Sequence, residues 1–528
     1  MKRNEFVIIF VLGLIALAAS SAFIHVPGYM DADYYYAGGM QLANGKGFTE
    51  PFLWNYLDDP AGIPHPSHTY WMPLTSILSS AGMALTGKAD FISARLLLIL
   101  IAALVPPLTA FVSWRLSRRR LSAWLAAGLS IFPGFYAIYM GITDTFPVYM
   151  LLGTLFLILG SVELHNRVLK YSGLGLLAGL MHLARADGIL WLAAGFGLIL
   201  IDSRPFLHNF KGAILNIFNR VLPLSCGYIL VMGLWYARNL LIFGALFSPA
   251  GGRVLWLINY DQMFIFPAGQ LTFQSWVSAG LGSALSVRWD ALGANLQTAL
   301  AVQGEIFLFP LILIGCWRLR TVQMVRLAGV MYGVTFLVMT IVFPLAGGRG
   351  GFFHSGAAFQ PVLWTIAAEG FIGAIEAGVR LRKNWRFERA SKGFGVLLLS
   401  LSAALTLALF MQQVINEAPN PSAWEKSNSE YKAVESSLVD LGAGQNQIVM
   451  VNNPPGYYVA TGRPAIVIPD GGVNSLLAAA NQFKASYLLL EQNTVAGLRD
   501  LFSQPRTVQG LAFIRTVDHI QIFKIGAP

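Results

Sequence analysis

The chain has 528 residues, of which 55% are hydrophobic and only 12% charged, against about 25% charged in a soluble globular domain. With a mean hydropathy of +0.58, that composition excludes a soluble protein and marks a polytopic membrane protein. The net charge of +10 would suggest a nucleic-acid partner in a soluble chain; here it is the Lys and Arg excess of cytoplasmic loops, and no nucleic acid is expected.

Met1-Lys2-Arg3 precedes an apolar run over 6–23. The small residues at its end resemble a signal-cleavage site. The run nevertheless approaches the roughly 20 residues of a span, so an uncleaved first helix with a cytoplasmic N-terminus is expected. The long loop over 25–90 is poor in Lys and Arg and should lie outside. Within it, 70–85 is apolar but short and interrupted by Pro73, as in a helix lying at the interface. The later runs are 91–114, 121–142, 146–162, 171–184, 189–201, 221–236, 296–317, 327–345, 352–377 and 393–414. Together with the first they predict about eleven spans, with the Arg and Lys clusters on one side throughout and a second outer loop over 240–295. Cys226 and Cys316 fall in or at the end of such runs, which leaves no disulfide framework.

The predicted organisation is a membrane module over 1–416 and a small soluble α/β domain over 417–528, outside the membrane. Its strands and helices are expected at 447–452, 465–469, 474–483, 486–491, 494–502, 511–517 and 520–525. The Asn452-Asn453-Pro454-Pro455-Gly456 turn could be functional, but it reads more readily as a structural turn. The predicted location is the inner or plasma membrane of a cell.

The chemistry is sought at the outer ends of the spans. Gly28-Tyr29-Met30-Asp31-Ala32-Asp33-Tyr34-Tyr35-Tyr36-Ala37-Gly38-Gly39 puts two carboxylates at a membrane exit, a costly place for charge unless it is used or solvated. Asp144, Arg185, Asp187, Arg238, Arg349 and His354 reach the same face by the predicted topology, as do His65 and His68. Outer arginines oppose the topology rule, and their planar fork suits phosphate. Each residue also has a plainer reading. Asp31 and Asp33 could serve as a water-facing loop or hold a divalent cation such as Mg or Mn; Asp144 could complement a helix dipole; Arg185 and Asp187 could pair with each other. His65 and His68 have metal-ligand spacing, but Pro64 and Pro66 favour an ordered loop.

Several stretches together resemble the GT-C membrane glycosyltransferases, in particular the family 39 protein O-mannosyltransferases and aminoarabinose transferases. They are Asp31-Ala32-Asp33-Tyr34-Tyr35, Tyr70-Trp71-Met72-Pro73-Leu74, Ala94-Arg95-Leu96, Thr143-Asp144, Arg185-Ala186-Asp187-Gly188 and Tyr236-Ala237-Arg238-Asn239. The match is best up to about Leu240; beyond it only the topology corresponds. The family's first acid is usually followed directly by another, whereas here Ala32 intervenes, which leaves the base as Asp31 or Asp33. The resemblance implies transfer of a sugar from a polyprenyl-phosphate donor to an acceptor hydroxyl of a protein, lipid or glycan on the outer face, with inversion. It implies Asp31, Asp33 and Asp144 as catalytic acids and bases, and Arg185, Arg238, Arg349 and His354 around the donor phosphate. Tyr35, His65, His68, Tyr70, Trp71, Asp187 and Asn239 would bind substrate. Two other readings compete. A transporter or flippase of a lipid-linked sugar needs repeated halves with broken helices, and no internal repeat is evident. A non-catalytic envelope assembly protein would depend on the tail alone.

Overall fold

The computed structural model describes residues 1–203, 210–382, 384–415 and 424–526. The chain divides into two compact units. The first comprises Met1–Phe23, Leu96–Arg238 and Asp290–Gln412; the second comprises Ile24–Arg95, Asn239–Trp289 and Gln413–Pro528. The expected boundary at 416/417 lies outside the described residues. The tail groups with both predicted outer loops in the second unit.

Among the described residues, seven helices are long and apolar enough to cross a membrane: Arg3–Ser21, Phe91–Ser117, Ala186–Ser203, Asn216–Phe243, Gln323–Val342, Pro344–Leu381 and Phe387–Ile415. The chain is a multi-pass membrane protein, but the count of eleven is not reached by full-length helices. The run over 121–142 forms two pieces, Arg120–Ile131 and Gly134–Gly141, bent by 62°. The bend falls at Pro133, which has no N–H to give, and Gly134, with φ of +54°. The run over 146–162 forms Phe146–Gly160, a helix of 15 residues that is largely buried, so neighbouring helices rather than lipid set its length. The run over 296–317 is broken at Glu305 and Ile306, whose φ values are positive, before Phe309–Arg318 resumes. Arg167–Ala184 is continuous over 18 residues but carries Arg167, Lys170 and His182.

Within the first unit, small residues let helices meet backbone to backbone. A Cβ on Gly315 would lie 2.0 Å from the Ile366 carbonyl oxygen, and one on Gly370 would lie 1.8 Å from that of Leu311. Lys170 Nζ lies 2.9 Å from Asp202 Oδ2, which also accepts the Tyr171 hydroxyl at 2.7 Å.

In the second unit, the helix Met30–Ala43 packs on Leu74–Thr86. A Cβ on Gly38 would lie 2.6 Å from Ser76 Oγ and one on Gly39 would lie 2.8 Å from Ser79 Cβ, so the two glycines closing the acidic motif serve this close approach. Eight short strands follow in chain order: β1 (Thr49–Glu50), β2 (Phe52–Leu53), β3 (His65–Pro66), β4 (Ile448–Val451), β5 (Ala465–Val467), β6 (Ala485–Leu490), β7 (Leu511–Val517) and β8 (Ile520–Ile525). β1 and β3 pair antiparallel, with Thr49 opposite Pro66. The other six form one sheet in the order β2-β5-β4-β6-β8-β7. β2, β5, β4 and β6 run parallel, and β8 and β7 complete the sheet antiparallel.

The tail's strands and its helix Val473–Phe483 fall where the alternating pattern predicts them. The sequence gives no warning that the edge strand β2 comes from the first outer loop. Alternation along β4 divides the core. Met450 faces Leu53, Tyr56, Ile466 and Leu488 on one side, while Val449 and Val451 join Tyr431, Val434 and Tyr457 on the other.

Candidate active site

The acidic motif begins at Gly28, with φ of +91°. A Cβ there would meet the Trp424 indole at 2.0 Å, and Trp424 Nε1 donates to the Val26 carbonyl at 3.1 Å. The chain can therefore turn into the helix at Tyr29 only with glycine at this position. Asp31 and Asp33 then occupy the first turn of Met30–Ala43, where the helix dipole favours negative charge. Their environments differ. Asp31 is partly exposed, whereas Asp33 is 7% exposed and accepts a hydrogen bond from Asn453 Nδ2 at 3.1 Å. Burial pushes the Asp33 carboxyl up to about 7; the Asn453 bond opposes this and the Asp31 charge adds to it. Of the two, Asp31 is the more exposed.

Asn453 belongs to the segment read as a structural turn. Its Oδ1 caps the helix Pro454–Thr461 by accepting from the Gly456 N–H at 3.0 Å, while its Nδ2 faces Asp33. A Cβ on Gly456 would stand 2.8 Å from Asp33 Oδ2, so the turn is shaped around the carboxylate. Next to it, the Asn452 N–H donates to Glu491 Oε1 at 3.3 Å and the Tyr431 hydroxyl donates to the same oxygen at 3.1 Å. Burial pushes Glu491 up to about 7 as well. Tyr431 feels the charge of both acids. Asn453, Glu491 and Tyr431 were not singled out from sequence; the only available signal was the turn itself.

The loop over 48–73 surrounds the same helix. His65 Nε2 bonds Asp58 Oδ2 at 2.7 Å. His68 bonds Ser67 Oγ at 2.7 Å and Ser76 Oγ at 2.9 Å, and its N–H donates to the Tyr34 hydroxyl at 2.6 Å. The two histidines are buried and each is held by hydrogen bonds to its neighbours, as in the ordered loop that Pro64 and Pro66 suggest. Tyr35 is 2% exposed, and its carbonyl accepts from Ser76 Oγ, so its ring packs rather than lining a surface. Tyr70 and Trp71 remain half-buried. Trp71 stacks on Trp54 with centroids 4.0 Å apart, and Tyr70 meets Trp54 edge-on at 4.9 Å. Arg95 is buried, donating to the Ile24 carbonyl at 2.9 Å and lying over the Phe91 ring.

Asp144, Arg185, Asp187, Arg238, Arg349 and His354 belong to the first unit. Asp144 is fully buried. Its Oδ1 accepts from the Thr145 N–H and hydroxyl, and its Oδ2 lies 3.6 Å from His354 Nε2. His354 Nδ1 is 2.9 Å from the Gly350 carbonyl. A carbonyl only accepts, so Nδ1 carries a proton and Nε2 faces the carboxylate. Phe146 stacks on the imidazole at 4.2 Å.

Arg185 Nε donates to Asp187 Oδ1 at 2.8 Å, and the Tyr149 hydroxyl donates to Asp187 Oδ2 at 3.3 Å. Arg185 also lies 5.7 Å from the Tyr149 ring. Behind them, His182 Nδ1 is 2.5 Å from the Tyr228 hydroxyl, which is 2.6 Å from that of Tyr236. A Cβ on Gly188 would meet the His182 nitrogen at 2.3 Å, so the Arg-Ala-Asp-Gly turn doubles back tightly on the preceding helix. Arg238 lies 4.5 Å over the Trp235 ring. Arg349 is exposed at a break in the helical path, next to Gly350 with φ of +102°. Asn239, in the second unit, donates to the Leu246 carbonyl at 3.0 Å and fixes the chain leaving its helix. Among the described residues no group of three or more His, Cys, Asp or Glu side chains could hold a metal ion.

No family model and no curated protein sequence matches the chain. Solved structures do. ArnT from Cupriavidus metallidurans bound to undecaprenyl phosphate is similar over 99% of this chain and 98% of its own, with 9% identity and a TM-score of 0.54. The chain has the GT-C fold. The oligosaccharyltransferase AglB from Archaeoglobus fulgidus, in complex with an inhibitory peptide and a dolichol-phosphate, matches over 100% of this chain and 75% of its own, with 13% identity and a TM-score of 0.51. The apo form of the Archaeoglobus fulgidus oligosaccharyltransferase matches over 93% and 70%, also with 13% identity and a TM-score of 0.51. At such identities the likeness is one of GT-C fold, and residue roles rest on the side chains themselves.

Proposed function

We propose that this chain is a membrane glycosyltransferase that moves a sugar from a polyprenyl-phosphate donor to an acceptor hydroxyl. The observation that carries the reading is the acid pair. A partly exposed Asp31, backed by a buried Asp33, opens the first helix after the first span, in a chain whose fold matches ArnT nearly end to end. The undecaprenyl phosphate of that structure and the dolichol-phosphate of the AglB complex support a lipid-phosphate donor. The inhibitory peptide in the latter is compatible with a macromolecular acceptor.

In this reading Asp31 takes the proton of the acceptor hydroxyl. The freed oxygen forms a bond to the anomeric carbon from the face opposite the phosphate. The bond from that carbon to the phosphate oxygen breaks, and its electron pair leaves on the lipid phosphate. General-base assistance of this kind contributes about 10²–10⁴-fold. The resemblance noted from sequence offers Arg185, Arg238 and Arg349 as the guanidiniums that would stabilise the departing phosphate. Tyr70 and Trp71 offer rings against which a sugar can lie.

The test is incubation of the purified protein with a panel of polyprenyl-phosphate sugars, scoring release of the free lipid phosphate. Asp31→Asn should remain folded and membrane-inserted while release falls about 10²–10⁴-fold. Undiminished release would remove Asp31 from the base role.

A further inference from the structure

The arginine-rich end of the first unit holds a cavity that the transfer reaction does not use. It has a volume of about 590 Å³ and is lined by Arg119, Arg120, Arg380 and Glu376 together with the apolar Leu121, Ile372, Val379 and Phe387. That size falls within the roughly 300–1,000 Å³ of small-molecule sites. Its walls are divided between cations and hydrocarbon, the division found in an amphiphile.

The charges are not an unsorted basic cluster. Glu376 is held by two guanidiniums, Arg119 Nη1 at 2.6 Å and Arg318 Nη1 at 2.9 Å. Arg318 reaches it across Gly373, where a Cβ would stand 2.6 Å from Arg318 Cδ. Arg120 is matched by Glu5 at 2.6 Å. Arg380 has no acidic partner among the described residues. Four arginines therefore face two carboxylates, an excess of two positive charges fixed around the opening. The topology rule explains why arginines collect at this end. It does not explain a cavity in which the acids are already neutralised, one guanidinium is left over and half of the lining residues are apolar.

We infer that this cavity binds the phosphate headgroup of an anionic membrane lipid, with Arg380 as the principal contact and the first part of the acyl chains against Val379 and Phe387. Basic pockets between membrane helices on the cytoplasmic side recognise such headgroups, and the charge distribution of the chain predicts this end to be cytoplasmic. The inference is independent of the transferase reading.

The test uses the full-length protein, delipidated in a neutral detergent and mixed with equal amounts of phosphatidylglycerol and phosphatidylcholine; native mass spectrometry reads which lipid is retained. The wild type should retain phosphatidylglycerol preferentially. Arg380→Ala should cut that preference about fivefold, the equivalent of the roughly 1 kcal/mol a basic side chain contributes near an anionic surface. Arg380→Lys should keep most of it. Arg389→Ala, a charge removed from the same end but off the cavity wall, should leave it unchanged, and all variants should elute and melt as the wild type does. Equal retention of the two lipids by the wild type would overturn the proposal, as would a loss in Arg389→Ala as large as in Arg380→Ala. Glycerol phosphate or inorganic phosphate competing as strongly as the lipid would also overturn it, because the apolar wall would then contribute nothing.

Discussion

Asp33→Asn should make the protein less sensitive to rising pH, and the size of the effect follows from the carboxylate's surroundings. Burial is the largest cause of a rise from 3.8 to about 7 in the folded chain. Between those values the folded protein holds a proton that the unfolded chain has released. Stability therefore falls as pH rises through this window, and the penalty is complete above about pH 7. At about 1.4 kcal/mol per pH unit, a rise of this size amounts to on the order of 4 kcal/mol. Glu491, raised from 4.5 to about 7, contributes on the order of 3 kcal/mol with the same sign. Asn at position 33 keeps the shape and can still accept from Asn453 Nδ2, but it does not titrate.

The assay is the thermal midpoint of the purified full-length protein, followed by tryptophan fluorescence from about pH 4.5 to 8.5 at constant ionic strength. The wild type should lose stability across that range, Asp33→Asn should lose distinctly less, and Asp33→Asn combined with Glu491→Gln should lose less still. If the wild-type and Asp33→Asn curves run parallel, Asp33 is not the buried, proton-holding acid described.

Two further substitutions probe the frames around the acids. Gly456→Ala would place a methyl group 2.3 Å from Asn453 Nδ2 and 2.8 Å from Asp33 Oδ2; overpacking of this kind costs about 1–3 kcal/mol, read as a lower melting midpoint, and an unchanged midpoint would show that the turn does not close on Asp33. Arg185→Ala would strand Asp187, whose side chain is only 10% exposed, with the Tyr149 hydroxyl as its remaining donor. Loss of one partner of a buried ion pair costs about 3–5 kcal/mol, and Arg185→Gln with Asp187→Asn should recover most of it in the same melting assay.

The helices were legible because each run of apolar residues states its own length. Arg3–Ser21, Gln323–Val342 and Phe387–Ile415 follow their predicted runs closely. Hydropathy fails where a run is apolar for a reason other than lipid. Phe146–Gly160 is apolar because it is surrounded by protein. The run over 296–317 averages over a break at which Glu305 is buried and accepts from Trp364 Nε1 at 3.2 Å and Ser402 Oγ at 3.1 Å. A window that sums hydropathy sees neither the neighbours of a helix nor a change in the sign of φ. The tail's strands were legible by alternation, but β2 is two residues long, too short to carry a period, and its partner β5 lies more than 400 residues further along.

Asp31 and Asp33 stand out in sequence because charge beside a hydrophobic run is costly, and that cost is local. What distinguishes one from the other is not local. Asn453 meets Asp33 across a separation of 420 residues, and it looks from sequence like any asparagine before a Pro-Pro-Gly turn because capping that turn is half of its work. One amide thus serves two ends: Oδ1 holds the start of Pro454–Thr461 in place, and Nδ2, fixed by that cap, is presented to the carboxylate at a set distance. An Asn that only capped a helix would leave Nδ2 in solvent. Aimed into a buried acid whose own helix starts at a glycine turn against Trp424, it makes the tail part of the electrostatic setting of the acid pair. Deleting the tail should therefore abolish the distinction between Asp31 and Asp33 even where the membrane helices stay intact.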